Sequence, residues 1–304
     1  MKINRKTLKT GARLALLRQT GHSPAGVTAV YLLVTGGAML ALNLISENPL
    51  DRLVQMLRQG IAPGRALGLT VAAVGTVGLF AGILLLLSRL VVDIGYVSWG
   101  LRVSRGEKTG VAALLDGLSI VGRVLLLNIA VAVLSLCWYV VLLFPVLSLA
   151  LAASYLPGGP MLATLLAVAG AVLFLLCVLR YAMAEFCLLD EPEKGVFFAL
   201  RSSRQLMRGR SLEYAMLMLS FLGWLLLVSV ASSLVESACV LALGGLDALL
   251  RGDMEQVLQL SGHPVVTLLS TLAGWTVSLW VQPYLTVTQA GYYNSLREQK
   301  QKEA

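Results

Sequence analysis

Six stretches of the chain carry apolar residues almost without interruption: 25–45, 67–92, 119–144, 161–184, 214–243 and 264–291. Each is long enough, as a helix, to cross about 30 Å of hydrocarbon. The fifth exceeds what one crossing needs, so it tilts or extends into the interface. Pro145 marks a kink or an end of the third. Between these stretches apolar residues recur at helical spacing. Leu50, Leu53, Val54 and Leu57 form one stripe, and Leu246, Leu249, Leu250, Met254, Val257 and Leu258 form a second; both precede even-numbered spans or follow odd-numbered ones. Val111, Leu114, Leu115 and Leu118 form a third, on the opposite side. Helices of this kind lie in the membrane plane with the apolar face down. A fourth surface helix is expected over 190–208. Asp190 reads as its N-cap, Pro192 as an early-turn residue, and Glu193 completes a pattern like a capping box. Gly209 is its stop. Arg201, Arg204 and Arg208 share one face of it.

The pattern therefore predicts an all-α fold: a polytopic transmembrane helix bundle of about six spans, with amphipathic interfacial helices. It divides into a basic head (1–24), a membrane domain (25–293) and a tail (294–304). Composition strengthens this. Of 304 residues 57% are apolar and 13% charged, about half the charged share of a soluble domain, and the mean hydropathy is +0.80. A water-soluble globule of this size cannot hide so much apolar surface. That excludes an ordinary soluble enzyme, a disordered chain and a disulfide scaffold. The head shows no convincing cleavage site, so the first apolar run reads as a span.

The net charge of +8 is unevenly placed. The head, the loop with Arg102, Arg105 and Lys108, the loop from 194 to 210 and the tail together hold seventeen Lys and Arg. The other side has four: Arg52, Arg58, Arg65 and Arg251. Cytoplasmic loops carry the excess of basic residues, so both termini are expected in the cytoplasm. The expected partners are the lipid bilayer and its anionic headgroups on that side. A membrane-protein partner or a second copy of the chain would also fit. No nucleic-acid module is present, and no nucleic acid is expected.

Catalytic chemistry is absent from the sequence. There is no P-loop, no G-x-S-x-G, no H-E-x-x-H and no dinucleotide fingerprint. The two histidines, His22 and His263, fall on opposite sides of the membrane, so no metal site and no cofactor are expected. Cys137, Cys177, Cys187 and Cys239 form no C-x-x-C pair and read as small apolar packing residues. Ionisable groups sit near span edges: Arg89 with Asp93, Arg180 with Glu185, and Glu236. That weakens the case for an ion-coupled transporter.

The sixth span carries the clearest polar pattern. Thr271, Trp275, Ser278, Gln282, Thr286, Gln289 and Tyr293 recur at steps of three or four, and lipid would disfavour that face. Ser278, Gln282, Thr286, Gln289 and Tyr293 are accordingly a candidate internal polar face. It would serve either as interhelical hydrogen bonds or as one wall of a polar cavity. Arg201, Arg204 and Arg208 are a second candidate. They would either anchor a surface helix to anionic headgroups or dock an anionic ligand or partner. Small-residue faces at Gly68, Ala72, Gly75 and Gly82, and at Ala163, Ala167 and Ala171, would let helices approach closely.

An ordered set of short segments resembles a known family. It begins at Gly95-Tyr96 and Leu101-Arg102-Val103-Ser104-Arg105-Gly106-Glu107-Lys108. It continues through Tyr181-Ala182-Met183, Leu188-Leu189-Asp190-Glu191-Pro192, Ala199, Ser203 and Met207-Arg208-Gly209. It closes with Leu219-Ser220-Phe221-Leu222-Gly223-Trp224, Pro283-Tyr284, Ala290 and Tyr292-Tyr293, and the head Met1-Lys2-Ile3-Asn4-Arg5 is also similar. Together these are similar to a bacterial integral membrane family catalogued as domain of unknown function 975. The chain departs from that pattern at 144–160 and 244–263. The resemblance implies a multi-pass protein of the bacterial cytoplasmic membrane and transfers no catalytic residue. The reading is a non-enzymatic interaction or envelope-maintenance role. The rival is a transporter or permease-like component for a small or amphipathic solute, and an intramembrane enzyme is disfavoured.

Overall fold

The computed structural model describes residues 5–19, 23–45, 77–155 and 159–303, and among these the fold is all-α. Four stretches of the described residues are long and apolar enough to cross a membrane: Val111–Ala153, Gly159–Asp190, Ser211–Leu250 and Pro264–Lys302. They answer to the third to sixth predicted spans. The first span is a helix, α2 (Pro24–Ile45), preceded by a separate head helix, α1 (Arg5–Leu17). The second begins outside the described residues and continues as α3 (Val77–Ser104), well past the predicted end. The stripe of Leu50, Leu53, Val54 and Leu57 lies outside the described residues, as do Gly68, Ala72 and Gly75 and also His22.

The long apolar stretches are interrupted where local chemistry demands it. The third runs as α4 (Val121–Trp138), a widened π-turn at Tyr139–Leu143, and α5 (Phe144–Ser154). Pro145 has no N–H, and its ring crowds the carbonyl four residues back, so the turn before it opens out and the helix goes on. The fourth is α6 (Gly159–Val178), a tight turn at Leu179–Tyr181, and α7 (Ala184–Asp190). Here the close approach is Gly170 against Val146, where an added Cβ would come within 2.6 Å. Ala171, expected on the packed face, is exposed. The fifth breaks into α9 (Ser211–Leu219) and α10 (Leu222–Val240). At the break Lys9 of α1 donates to the Ser220 carbonyl at 3.2 Å and lies 4.4 Å over the Phe221 ring. The sixth is one continuous helix that Pro283 does not end: α13, Pro264–Glu303. Forty residues span roughly 60 Å, twice the hydrocarbon thickness.

Two surface elements depart from expectation. The segment Val111–Ile120 is a 3-10 helix, not an α-helix. Three residues per turn put Val111, Leu114, Gly117 and Ile120 on one side, whereas Leu115 and Leu118 are each 60% exposed. The outer stripe is split between α11 (Leu246–Leu250) and α12 (Met254–Ser261), because Gly252 takes a left-handed φ of 73° between them and Asp253 caps α12 by accepting from Gln256 N–H at 3.0 Å.

The apolar windows of the four long stretches are only 0, 6, 11 and 17% buried, so their leucines and valines face outward, as lipid-facing surfaces do. The close-packed core lies elsewhere. Ile94, Met183, Leu188, Met207, Leu217, Phe221, Tyr292 and Leu296 meet where α3, α7, α8 (Gly195–Leu206), α9 and α13 converge. A second cluster gathers Val27, Tyr96, Trp99 and Val103, with Tyr31, Tyr96 and Trp99 stacked in sequence at 4.3 and 5.3 Å. Arg89 and Asp93 pair at 3.5 Å along α3, and Tyr31 OH donates to Asp93 at 2.8 Å.

Candidate functional site

The basic end of the molecule is organised around one carboxylate. Asp190 closes α7, and its side chain is 6% exposed. Arg105, just past α3, reaches it with a guanidinium N–H at 2.8–2.9 Å. Arg297 and Tyr293 reach it from successive turns of α13, Tyr293 OH at 2.8 Å. Arg105 also donates to Asn294 at 3.3 Å, and Asn294 donates to Ser104 Oγ at 2.8 Å. Asp190 therefore does not cap the following helix, as its position before Pro192 suggested. Glu191 and a short turn at Pro192–Lys194 intervene, and α8 starts at Gly195, whose φ is 80°. Charge-assisted bonds from two arginines outcompete one backbone N–H for the carboxylate. α8 ends at Leu206 with Met207 as its C-cap, short of the expected Arg208, and Gly209, with φ 74°, lies in the turn beyond.

α8 is amphipathic. Val196, Ala199, Leu200 and Ser203 are buried, and Phe197, Arg201, Arg204 and Gln205 are exposed, as is Arg208 in the turn beyond. The buried Ser203 hydroxyl donates to the Arg180 carbonyl at 2.9 Å, which fastens α8 beside the turn ending α6. That contact brings Arg180, half-buried, next to the three exposed arginines. The four line a single cavity of about 720 Å³ together with Leu176, Gln205, Ser211 and Leu212. None of the four has an acidic partner among the described residues. A neighbouring cleft of about 300 Å³ behaves differently. Its Glu191 stands beside Lys194 at 2.7 Å and Arg297 at 3.5 Å, so two of its three basic residues have an acid at hand; the third, Lys300, donates to Gln205 at 3.0 Å.

None of the seven residues of the polar stripe on α13 lies on the exposed face. Four of the seven have a hydrogen-bond partner within the protein. Thr271 and Ser278 donate to carbonyls one turn back on their own helix, at 2.6 and 2.8 Å. Gln289 donates across to Tyr214 OH of α9 at 3.2 Å. Tyr293 is committed to Asp190. Thr286 is buried against Gly100 of α3, Trp275 covers Gly36 of α2, and Gln282 is half-buried. His263 accepts from the Val265 N–H at 3.3 Å at the start of α13. The four cysteines are all free, and Cys187 is buried in the core. Among the described residues no three His, Cys, Asp or Glu side chains gather as a metal would require. At the head, burial first and Arg5 second hold the Lys9 ammonium below the usual lysine value.

The family model described as protein of unknown function (DUF975) matches residues 66–300. The chain belongs to this family. No curated protein and no solved structure matches it. The matched part of this DUF975 protein contains α3 and everything from the 3-10 segment to the tail, including the Asp190 clasp and the arginine cavity; α1 and α2 precede it.

Several segments that carry the family resemblance meet in space. Ser104 and Arg105, Asp190 and Glu191, and Tyr293 come from three widely separated stretches and form the clasp. Sequence reasoning did not pair them, because periodicity reports neighbours on one helix only. It also left Arg180 as a span-edge residue. Its nearness to Arg201 and Arg204 depends on the Ser203 tether, which has no local signature.

Proposed function

We propose that this DUF975 protein is a non-enzymatic integral protein of the bacterial cytoplasmic membrane, with both termini in the cytoplasm. It acts by interaction at its cytoplasmic face. The supporting observation is the exposed side of α8, where Arg201, Arg204 and Arg208 have no acid beside them among the described residues and Phe197 is 78% exposed on the same side. An amphipathic helix with an exposed aromatic and unmatched arginines suits the interface between water and anionic headgroups, where the ring enters the acyl boundary and the guanidinia meet phosphate. In the polar stripe of α13, the main argument for a solute path, Gln289 and Tyr293 bond across to other elements and Trp275 and Thr286 pack against α2 and α3, which favours interaction over transport.

Hydrogen exchange of α8 in nanodiscs tests this. With anionic lipid at moderate salt, the amides of 197–208 should exchange several-fold more slowly than in phosphatidylcholine nanodiscs. The difference should shrink at high salt, as screening requires. A triple variant, Arg201→Gln with Arg204→Gln and Arg208→Gln, should lose it. Equal exchange in both lipids would end the reading.

A further inference from the structure

We propose that the cavity between Arg180 and α8 is a discrete site for a phosphorylated lipid headgroup carrying about two negative charges, entered from the cytoplasmic leaflet. This rests on the interfacial placement of α8 proposed above and adds a ligand class and a stoichiometry to it.

The charge argument comes first. Four guanidinia line one cavity, and no described acid neutralises any of them. Arginine stays protonated throughout the accessible pH range, so the pocket cannot relieve this by losing protons. In the adjoining cleft, by contrast, Lys194 has Glu191 and Arg297 has both Glu191 and Asp190, and only Lys300 has a neutral partner, Gln205. A single phosphodiester charge would leave most of the cavity's charge unmatched. A phosphomonoester, with about −1.5 to −2 at neutral pH, matches more of it.

Geometry narrows the class to phosphate. Each guanidinium presents a planar fork of donors that suits phosphate or carboxylate oxygens. A carboxylate has two oxygens and is satisfied by one fork. A phosphomonoester offers three terminal oxygens, to be shared among arginines approaching from α6 and from α8. The opening of α9 adds to this, since Ser211 and Leu212 line the cavity and a helix N-terminus favours an anion. Glu213 lies in that first turn but does not line the cavity.

The lining also says where the ligand comes from. Leu176 and Arg180 sit one turn apart where the α6 stretch ends, so the cavity opens at the level where that stretch leaves the hydrocarbon. Leu212, on its other edge, is 56% exposed. A soluble anion gains nothing from two leucines at the rim. A lipid places its phosphate among the arginines and its glycerol and first methylenes along those side chains. A volume of about 720 Å³ exceeds what a phosphate alone fills and lies within the usual range of roughly 300–1,000 Å³ for small-molecule sites.

The test uses the full chain in a neutral maltoside detergent, read by native mass spectrometry and thermal melting. The probes are dihexanoyl phosphatidic acid, phosphatidylglycerol, phosphatidylcholine and inorganic phosphate. Phosphatidic acid should bind one-to-one and saturably, at least tenfold tighter than phosphatidylglycerol, with phosphatidylcholine inert. Arg180→Gln and Arg204→Gln should each weaken it tenfold or more, and Arg204→Lys should lose affinity while keeping the charge. Lys108→Gln, an equal charge change on an exposed loop outside the cavity, should have no effect. The unliganded melting temperature of each variant checks that it folds. Inorganic phosphate binding as tightly as the lipid would overturn the lipid assignment. Equal affinity for the two anionic lipids, with Lys108→Gln as damaging as Arg204→Gln, would overturn the discrete site. The interfacial reading would then still stand on its hydrogen-exchange result.

Discussion

Asp190 shows what a single side chain does here. Its carboxylate is 6% exposed and accepts from Arg105, Arg297 and Tyr293, which come from the end of α3 and two turns of α13. Asp190→Asn keeps the shape but removes the charge, and its amide N–H would face guanidinium donors. Breaking a fully buried ion pair costs about 3–5 kcal/mol. The two arginines are 34 and 39% exposed, so water recovers part of that. The expected loss is about 2–3 kcal/mol, between the buried value and the exposed-pair value, read as a lower melting temperature in detergent. Glu191→Gln, whose side chain is 32% exposed, should cost under about 1 kcal/mol. Equal losses would mean that Asp190 is no more than another surface acid. None of this was legible locally. Asp190 precedes a proline and carries the signature of a helix cap, whereas its true partners stand 85 and 107 positions away. The family resemblance did include Arg105, Asp190 and Tyr293, but as an order along the chain with no contact implied.

At the scale of elements, the 3-10 segment Val111–Ile120 is the most informative departure. Ten residues is long for this geometry, which seldom persists beyond one turn. Its cause is the crossing with α3. A Cβ on Gly95 would stand 2.1 Å from the Leu114 carbonyl oxygen, and one on Gly117 would stand 2.5 Å from the Val91 oxygen. Two backbones thus touch directly, and the tighter, narrower helix fits against α3 where an α-helix would not. Arg102 and Asp116, paired at 2.8 Å, fasten the same crossing from the side. Gly95→Ala should therefore destabilise by about 3 kcal/mol, the upper end for overpacking, because the obstacle is backbone and cannot rotate away. Gly122→Ala has nothing within 4 Å and should be neutral or stabilise by up to about 1 kcal/mol through helix propensity. Paired melting curves decide it, and a tolerated Gly95→Ala would show that the crossing is looser than described. The long spans were readable because twenty apolar residues admit one reading. The short amphipathic run was not, since apolar positions 111, 114, 115 and 118 satisfy a period of 3.6 as well as 3.0. Only the glycines hint at the difference, and each needs its partner to be interpreted.

At the scale of the molecule, the segments assigned to the basic side are in mutual contact. Gln19, after α1, donates to the Glu107 carbonyl at 2.7 Å. Lys300 of the tail donates to Gln205 of α8 at 3.0 Å, and Arg210 donates to Gln299. Among the described residues, head, loops and tail therefore share one end; of the four basic residues expected on the other side, Arg52, Arg58 and Arg65 lie outside the described residues. Arg251 and Ser261 precede the opposite end of α13. The count of basic residues anticipates this grouping, since loops on one side of a membrane protein carry an excess of Lys and Arg. The stripe on α13 was legible too, as a face lipid disfavours. Its division of labour was not, since hydroxyls that bond back to their own helix and an amide that bonds across to Tyr214 look alike in sequence. The assignment of sides yields a direct expectation. A reporter that matures only in the cytoplasm should be active when fused after the C-terminus and silent when inserted near Ser261, and a periplasm-dependent reporter should give the reverse. Between the two points lies only α13, whose apolar window within Pro264–Lys302 is 17% buried. Matching signals would place both its ends on one side. A helix of forty residues with an outward apolar face would then have to lie along the membrane, and the six-span topology would fall with it.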